Sequence, residues 1–132
     1  MPNRTILVVD DDRVVRRLAA ESLRAHGYDV LEAGSGAQAL ELAREHQGEI
    51  HLLLTDVALP GMNGGELAEA VAAERPGVAT LFMSGYSAGA ALHDSVRDEG
   101  VSFLAKPFNP EALLRKVRAV LGGTGGRGSD TA

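Results

Sequence analysis

Apolar residues follow two alternating rhythms along this chain. Thr5–Val9 (TILVV) is an unbroken apolar, β-branched run, as expected of a strand covered on both faces. Val14–Ala25 then carries apolar residues at 15, 18, 19 and 23, one helical face, with Gly27 a fitting stop. Tyr28–Ala33 is a shorter, mixed strand. Ser35-Gly-Ala-Gln38 has the form of a capping box and opens a helix through about Glu45. His51–Thr55 (HLLLT) is a second buried run. Asn63-Gly-Gly-Glu66 marks another helix start, with the helix ending near Pro76. Val78–Met83 reads as a fourth strand, Ser87–Glu99 as a weaker helix closed by Gly100, and Val101–Ala105 as a fifth strand. Asn109-Pro110-Glu111 supplies a cap, a proline at the first helical position and an acid in the first turn. Leu113, Leu114, Val117, Val120 and Leu121 give that last helix its apolar stripe.

The pattern predicts an α/β fold, a strand–helix unit repeated five times. Such alternation implies a parallel sheet with right-handed crossovers and helices on both faces. The last eleven residues, 122–132, include five glycines and no large apolar side chain. They cannot bury enough surface to offset their ordering entropy, so residues 1–121 are expected to form one domain and 122–132 a flexible tail.

Composition narrows the function. At 132 residues, 45% hydrophobic and 23% charged, the chain suits a single globular core. It has no cysteine, which excludes disulfides, a thiolate zinc site and a cysteine nucleophile. The net charge of −5 disfavours a grip on DNA phosphates, and with no Trp, two Tyr and three Phe a stacking platform for single strands is not expected either. No apolar run approaches the roughly 18 residues of a membrane span, and the N-terminus does not read as a signal peptide, so a cytoplasmic location is expected.

In a doubly wound sheet functional groups collect beyond the carboxyl ends of the strands, at the point where strand order reverses. The predicted strands end in Asp10-Asp11-Asp12, Thr55-Asp56, Ser84-Gly85 and Lys106-Pro107. Clustered carboxylates repel one another, which a hard divalent cation such as Mg2+ relieves. A lysine can hold an acid or a phosphoryl oxygen, and a serine hydroxyl can donate to one. Together these are the parts for phosphoryl transfer, with an aspartate as a covalent acceptor that needs no deprotonation at neutral pH. Asp12, just before a helix, reads as its N-cap. His26, His46, His51 and His93 show no metal spacing, and Gly34-Ser35-Gly36 lacks the Gly-Lys-Ser/Thr of a phosphate loop.

Four segments, ILVVDDDRVVR (6–16), LLLTDVALPGMNG (52–64), LFMSGYS (81–87) and FLAKPF (103–108), resemble the receiver domain of two-component response regulators. The resemblance covers about residues 5–121. It implies a flavodoxin-like three-layer sandwich with a five-stranded parallel sheet of order 2-1-3-4-5. It also implies that Asp56 is the phosphoacceptor. Asp10, Asp11, Asp56 and the backbone carbonyl of Ala58 would hold Mg2+, for which Mn2+ can substitute. Ser84 and Lys106 would meet the phosphoryl group, Ser84 and Phe103 would form the switch, and the Lys106–Pro107 peptide would be cis. The implied donor is a sensor histidine kinase or histidine phosphotransfer protein. An output partner would bind the face made by the fourth predicted helix, the fifth strand and the last helix, with no direct nucleic-acid binding and no membrane insertion. The chain departs from the family pattern at Leu59, where methionine is frequent, at Ser84, where threonine is, and at Phe103, where tyrosine is. Ala58 and Tyr86 occupy the two positions that affect phosphoryl lifetime in the family.

Two other functions compete. A Mg2+-dependent phosphohydrolase forming an aspartyl phosphate would need a second acid two residues after its nucleophile, where this chain has Ala58. A flavin-binding module would need a hydroxyl-rich phosphate loop after the first strand, where this chain has three acids. The expected function is therefore a signalling phosphoacceptor that assists only its own phosphorylation and dephosphorylation.

Overall fold

The computed structural model describes residues 4–84 and 102–126. Its strands are β1 (Thr5–Val9), β2 (Asp29–Ala33), β3 (Leu52–Asp56), β4 (Ala79–Ser84) and β5 (Ser102–Ala105). The helices are α1 (Arg13–Ala25), α2 (Gly36–Glu45), α3 (Gly64–Glu74) and a C-terminal helix, Pro110–Gly126. The five strands form one parallel sheet in the order β2-β1-β3-β4-β5, the flavodoxin-like order. The helix expected over 87–99 lies outside the described residues.

The unbroken apolar runs in β1 and β3 are explained by burial on both faces. Ile6, Val8, Leu52 and Leu54 pack with Ala19 and Leu23 of α1 and with Leu113, Val117 and Leu121 of the C-terminal helix. Leu7, Val9 and Leu53 point the other way, against Ala39 and Ala43 of α2 and Leu67 and Val71 of α3. Successive strand side chains alternate between faces, so each central strand contributes to both layers.

The predicted caps fix where the helices begin. Asp12 accepts from the backbone N–H groups of Val14 and Val15, which starts α1 at Arg13, one residue earlier than the apolar spacing indicated. Asn63 and Glu66 form a reciprocal capping box at the start of α3. Ser35 caps Gln38, but the Gln38 side chain accepts from the Gly34 N–H rather than from Ser35, so only half of the expected box forms. Asn109 accepts from Ala112 at the opening of the C-terminal helix. That helix continues past Leu121 into the glycine-rich stretch, while its buried stripe ends at Leu121 and Gly122 is exposed.

The chain leaves β1 for β2 on one side and later returns to β3 on the other. The strand order therefore reverses between β1 and β3. A crevice opens there at the carboxyl edge, and the acids sit at that edge.

Candidate functional site

Asp10 follows β1 directly and is fully buried. Its N–H donates to the Ala33 carbonyl of β2 at 3.2 Å, and its Oδ1 accepts from the Asp12 N–H at 2.8 Å. Asp11, the next residue, is exposed. Asp56 ends β3 and is 7% exposed. Its Oδ1 accepts from the Ala58 N–H at 3.0 Å, and the buried Thr55 hydroxyl donates to its carbonyl at 3.0 Å. The loop after Asp56 is pinned where it enters and leaves: Val57 N–H bonds to the Met83 carbonyl at 3.0 Å, and Gly64 N–H to the Val57 carbonyl at 2.7 Å. The start of α3 lies so close to β3 that a β-carbon on Gly64 would overlap the Asp56 carbonyl oxygen. Only glycine permits that approach.

Lys106 follows β5 and crosses the crevice. Its Nζ lies 2.6 Å from Asp56 Oδ2 and 3.0 Å from Asp10 Oδ2. The first contact is a charge-assisted hydrogen bond. The second is an ion pair without hydrogen-bond alignment, so Asp10 Oδ2 is buried without a directed donor. Burial holds the Asp10 carboxyl above its ordinary value, outweighing the Asp12 N–H and Lys106, both of which favour its charged form. For Lys106 burial acts to lower the ammonium value, but the hydrogen bond to Asp56 and the attraction of the Asp10 and Asp56 carboxylates outweigh it and leave the value raised. The lysine stays charged because the acids hold it.

One carboxylate oxygen from each of Asp10, Asp11 and Asp56 lies within 4.8 Å of the others. Three carboxylates and one ammonium formally leave two uncompensated negative charges, which one divalent cation would balance. The donors are all oxygen, the choice of a hard cation, and the undirected Asp10 Oδ2 is a ready lone pair. The residues present therefore fit a divalent metal site.

The structure thus brings together Asp10, Asp11, Asp56 and Lys106 from the ends of three strands. Ala58 lies beside them, joined through its N–H to Asp56. The Lys106–Pro107 peptide is cis. Ser84 ends β4, half-buried, and its carbonyl accepts from the Lys106 N–H at 2.9 Å. Phe103 does not join the acids. It stacks on Phe82 with ring centroids 5.9 Å apart, beside Val57 and Ala68. Tyr86 lies outside the described residues. Two further contacts escaped sequence reasoning: the Ala58 N–H on the Asp56 carboxylate and the close approach of Gly64. A glycine directly after the Asn63 cap, at the first helical position, was the only trace of the second. Among the histidines, His51 Nδ1 accepts from the Thr5 N–H at 3.0 Å and ties β3 to β1 at the opposite edge of the sheet.

An acid-lined crevice with a lysine reaching in, at the switch point of a five-stranded doubly wound sheet, defines a class of signalling phosphoacceptors. The chain matches the family model of the response regulator receiver domain over residues 6–118, and it belongs to that family. It is 35% identical over 117 residues to the sensor kinase CckA of Brucella abortus, covering 89% of this chain and 12% of that protein. It is 33% identical over 118 residues to the response regulator receiver protein CpdR of the same organism, covering 89% of this chain and 97% of CpdR. The crystal structure of the receiver domain from the hybrid histidine kinase CckA superposes with a TM-score of 0.74 at 36% identity, covering 89% of this chain and 98% of that one. The chain spans about half or less of several longer relatives. Receiver domains are phosphoacceptors of two-component signal transduction, not enzymes acting on outside substrates, and the phosphohydrolase alternative is not favoured. Among the described residues no helix is long and apolar enough to cross a membrane.

Proposed function

We propose that this receiver accepts its phosphoryl group on Asp56. One observation carries the reading: the Asp56 carboxylate ends β3 with Lys106 Nζ at 2.6 Å, within reach of Asp10 and Asp11. An Asp56 carboxylate oxygen attacks the phosphorus of a phosphohistidine. An O–P bond forms and the P–N bond breaks. The electron pair stays on the imidazole nitrogen, which takes a proton from solvent. The Ala58 N–H holds the other carboxylate oxygen, so one oxygen is fixed while its twin attacks. Asp10, Asp11 and the Ala58 carbonyl, together with Asp56, would hold Mg2+ or Mn2+, which would screen the acids from one another and neutralise charge on the phosphoryl oxygens.

Lys106 exchanges its bond to Asp56 for one to a phosphoryl oxygen, and Ser84 donates to another. The acyl phosphate adds roughly −1.5 to −2 charges at the crevice. Phe103 follows as the switching aromatic, and the face that includes β5 and the C-terminal helix changes its affinity for an output partner. Water then attacks the same phosphorus, the bond to the Asp56 oxygen breaks, and the carboxylate is restored as inorganic phosphate leaves. The donor is a sensor histidine kinase or a histidine phosphotransfer protein, in the cytoplasm. Residues 1–121 make up the receiver, and the boundary expected at 122 falls inside the C-terminal helix, which runs to Gly126.

Incubation with acetyl phosphate and Mg2+, followed by intact mass, tests the reading. One added phosphoryl group is expected, absent without divalent metal and absent in Asp56→Asn. An unmodified wild type across several small phosphodonors would overturn it.

A further inference from the structure

The first turn of α1 carries Arg13 and Arg16 and no acid. Cations at a helix N-terminus oppose its dipole. A local choice that conflicts with its element calls for a compensating role elsewhere, and Arg16 has one. Its Nη1 donates to the carbonyl of Asp10 at 3.0 Å, and its Nε donates to Glu32 Oε1 of β2 at 3.3 Å. Both side chains are 18% exposed. Glu32 is itself fixed from the other side by Arg24 Nη1 at 3.0 Å, while Arg24 Nη2 donates to the Val30 carbonyl. The guanidinium also packs over Gly34, where a β-carbon would stand 3.1 Å from Nη1.

We propose that Arg16 is a positioning residue for the metal site: oriented by Glu32, it clamps the Asp10 carbonyl and so sets the peptide that links Asp10 to Asp11. The Asp10 N–H is already held by the Ala33 carbonyl. With both ends of this backbone unit fixed, the buried Asp10 carboxylate and the exposed Asp11 carboxylate are delivered to the same side, facing Asp56. The planar fork of arginine matters because the two bonds point in different directions, to a carbonyl and to a carboxylate. This inference rests on the metal role given above to Asp10 and Asp11.

Electrostatics and positioning predict opposite signs. Removing a positive charge beside an acidic site should tighten cation binding, whereas releasing the Asp10–Asp11 peptide should weaken it. Mn2+ affinity, read from free Mn2+ by electron paramagnetic resonance, separates the two, with metal-free thermal unfolding measured alongside. Arg16→Gln is expected to weaken Mn2+ binding about tenfold, as supporting contacts to metal ligands commonly do. Arg16→Lys keeps the charge but loses the fork, and is expected to weaken binding too. It also serves as the measurement if Arg16→Gln does not fold. Arg17→Gln, which removes an exposed partner of Glu21 on the same helix, is expected to bind as tightly as wild type or tighter. Unchanged or tighter binding in both Arg16 variants, with wild type binding Mn2+, would overturn the inference and leave the metal site standing. A lower unfolding temperature with unchanged affinity would mark Arg16 as a structural staple only. Absence of Mn2+ binding by wild type would overturn the metal site itself.

Discussion

Lys106 Nζ lies 2.6 Å from Asp56 Oδ2, joining residues 50 positions apart across the crevice at the end of the sheet. The same ammonium lies 3.0 Å from Oδ2 of the buried Asp10 carboxylate. In the metal-free protein one lysine therefore restrains two acids that would otherwise repel each other.

Loss of that lysine should be costly without metal and largely repaired by it. Removing one partner of a buried ion pair costs about 3–5 kcal/mol. Lys106 is partly exposed, so about 1–3 kcal/mol is expected for Lys106→Ala. Mg2+ should then stabilise the variant more than wild type, since the cation takes over the charge that the lysine balanced. Thermal unfolding of both proteins with and without Mg2+ measures this. An equal Mg2+ effect in the two would contradict it.

Metal binding should stabilise the fold and fade on acidification. A ligand binding only the folded state at ten times its dissociation constant contributes about 1.4 kcal/mol, a rise of roughly 5 °C for a domain of this size. The Asp10 carboxyl is held above its ordinary value by burial, so it takes up a proton at higher pH than an exposed aspartate would. Protons then compete with the metal, and the Mg2+-induced rise should begin to shrink above the usual carboxylate range. The metal-free fold responds in the opposite sense at this residue. The Asp10 contribution to stability is full below the unfolded-state value and is lost as pH rises through the higher folded-state value. Unfolding temperatures across a pH series with and without Mg2+ test both signs. A metal effect that held constant into the acid range would contradict the assignment.

The close approach of α3 to β3 gives a steric prediction. Gly64→Ala forces a β-carbon against the Asp56 carbonyl and Val57, and overpacking of this kind costs about 1–3 kcal/mol. It should also slow phosphorylation, because the displaced backbone carries Asp56. Gly122→Ala, with nothing within 4 Å of the added carbon, serves as the control and should be neutral or slightly stabilising. Equal behaviour of the two variants would show that Gly64 is not needed for the approach.

Much of this was legible before any coordinates, for physical reasons. Burial on two faces writes itself into β1 and β3 as continuous apolar runs, and parallel strands deliver their carboxyl ends to one edge. Asp10, Asp11, Asp56 and Lys106 could therefore be placed at one edge of the sheet from the strand pattern, and the resemblance to receiver domains drew them into one site. The contacts that stayed hidden depend on tertiary approach or on backbone atoms. Arg16 reaches Glu32 and the Asp10 carbonyl only because α1 lies against β2. Ala58 acts through its N–H, which every residue but proline carries. Gln38 chose the Gly34 N–H over its expected partner, a choice made by local loop geometry rather than residue type.

The central claim is that one carboxylate, and no other, becomes an acyl phosphate. Borohydride reduction after phosphorylation converts an aspartyl phosphate to homoserine, and peptide mapping by tandem mass spectrometry then locates it. Conversion at residue 56 alone is predicted, dependent on Mg2+ and on the phosphodonor. Homoserine at residue 10, 11 or 12, or at none of the aspartates of a phosphorylated sample, would contradict the account.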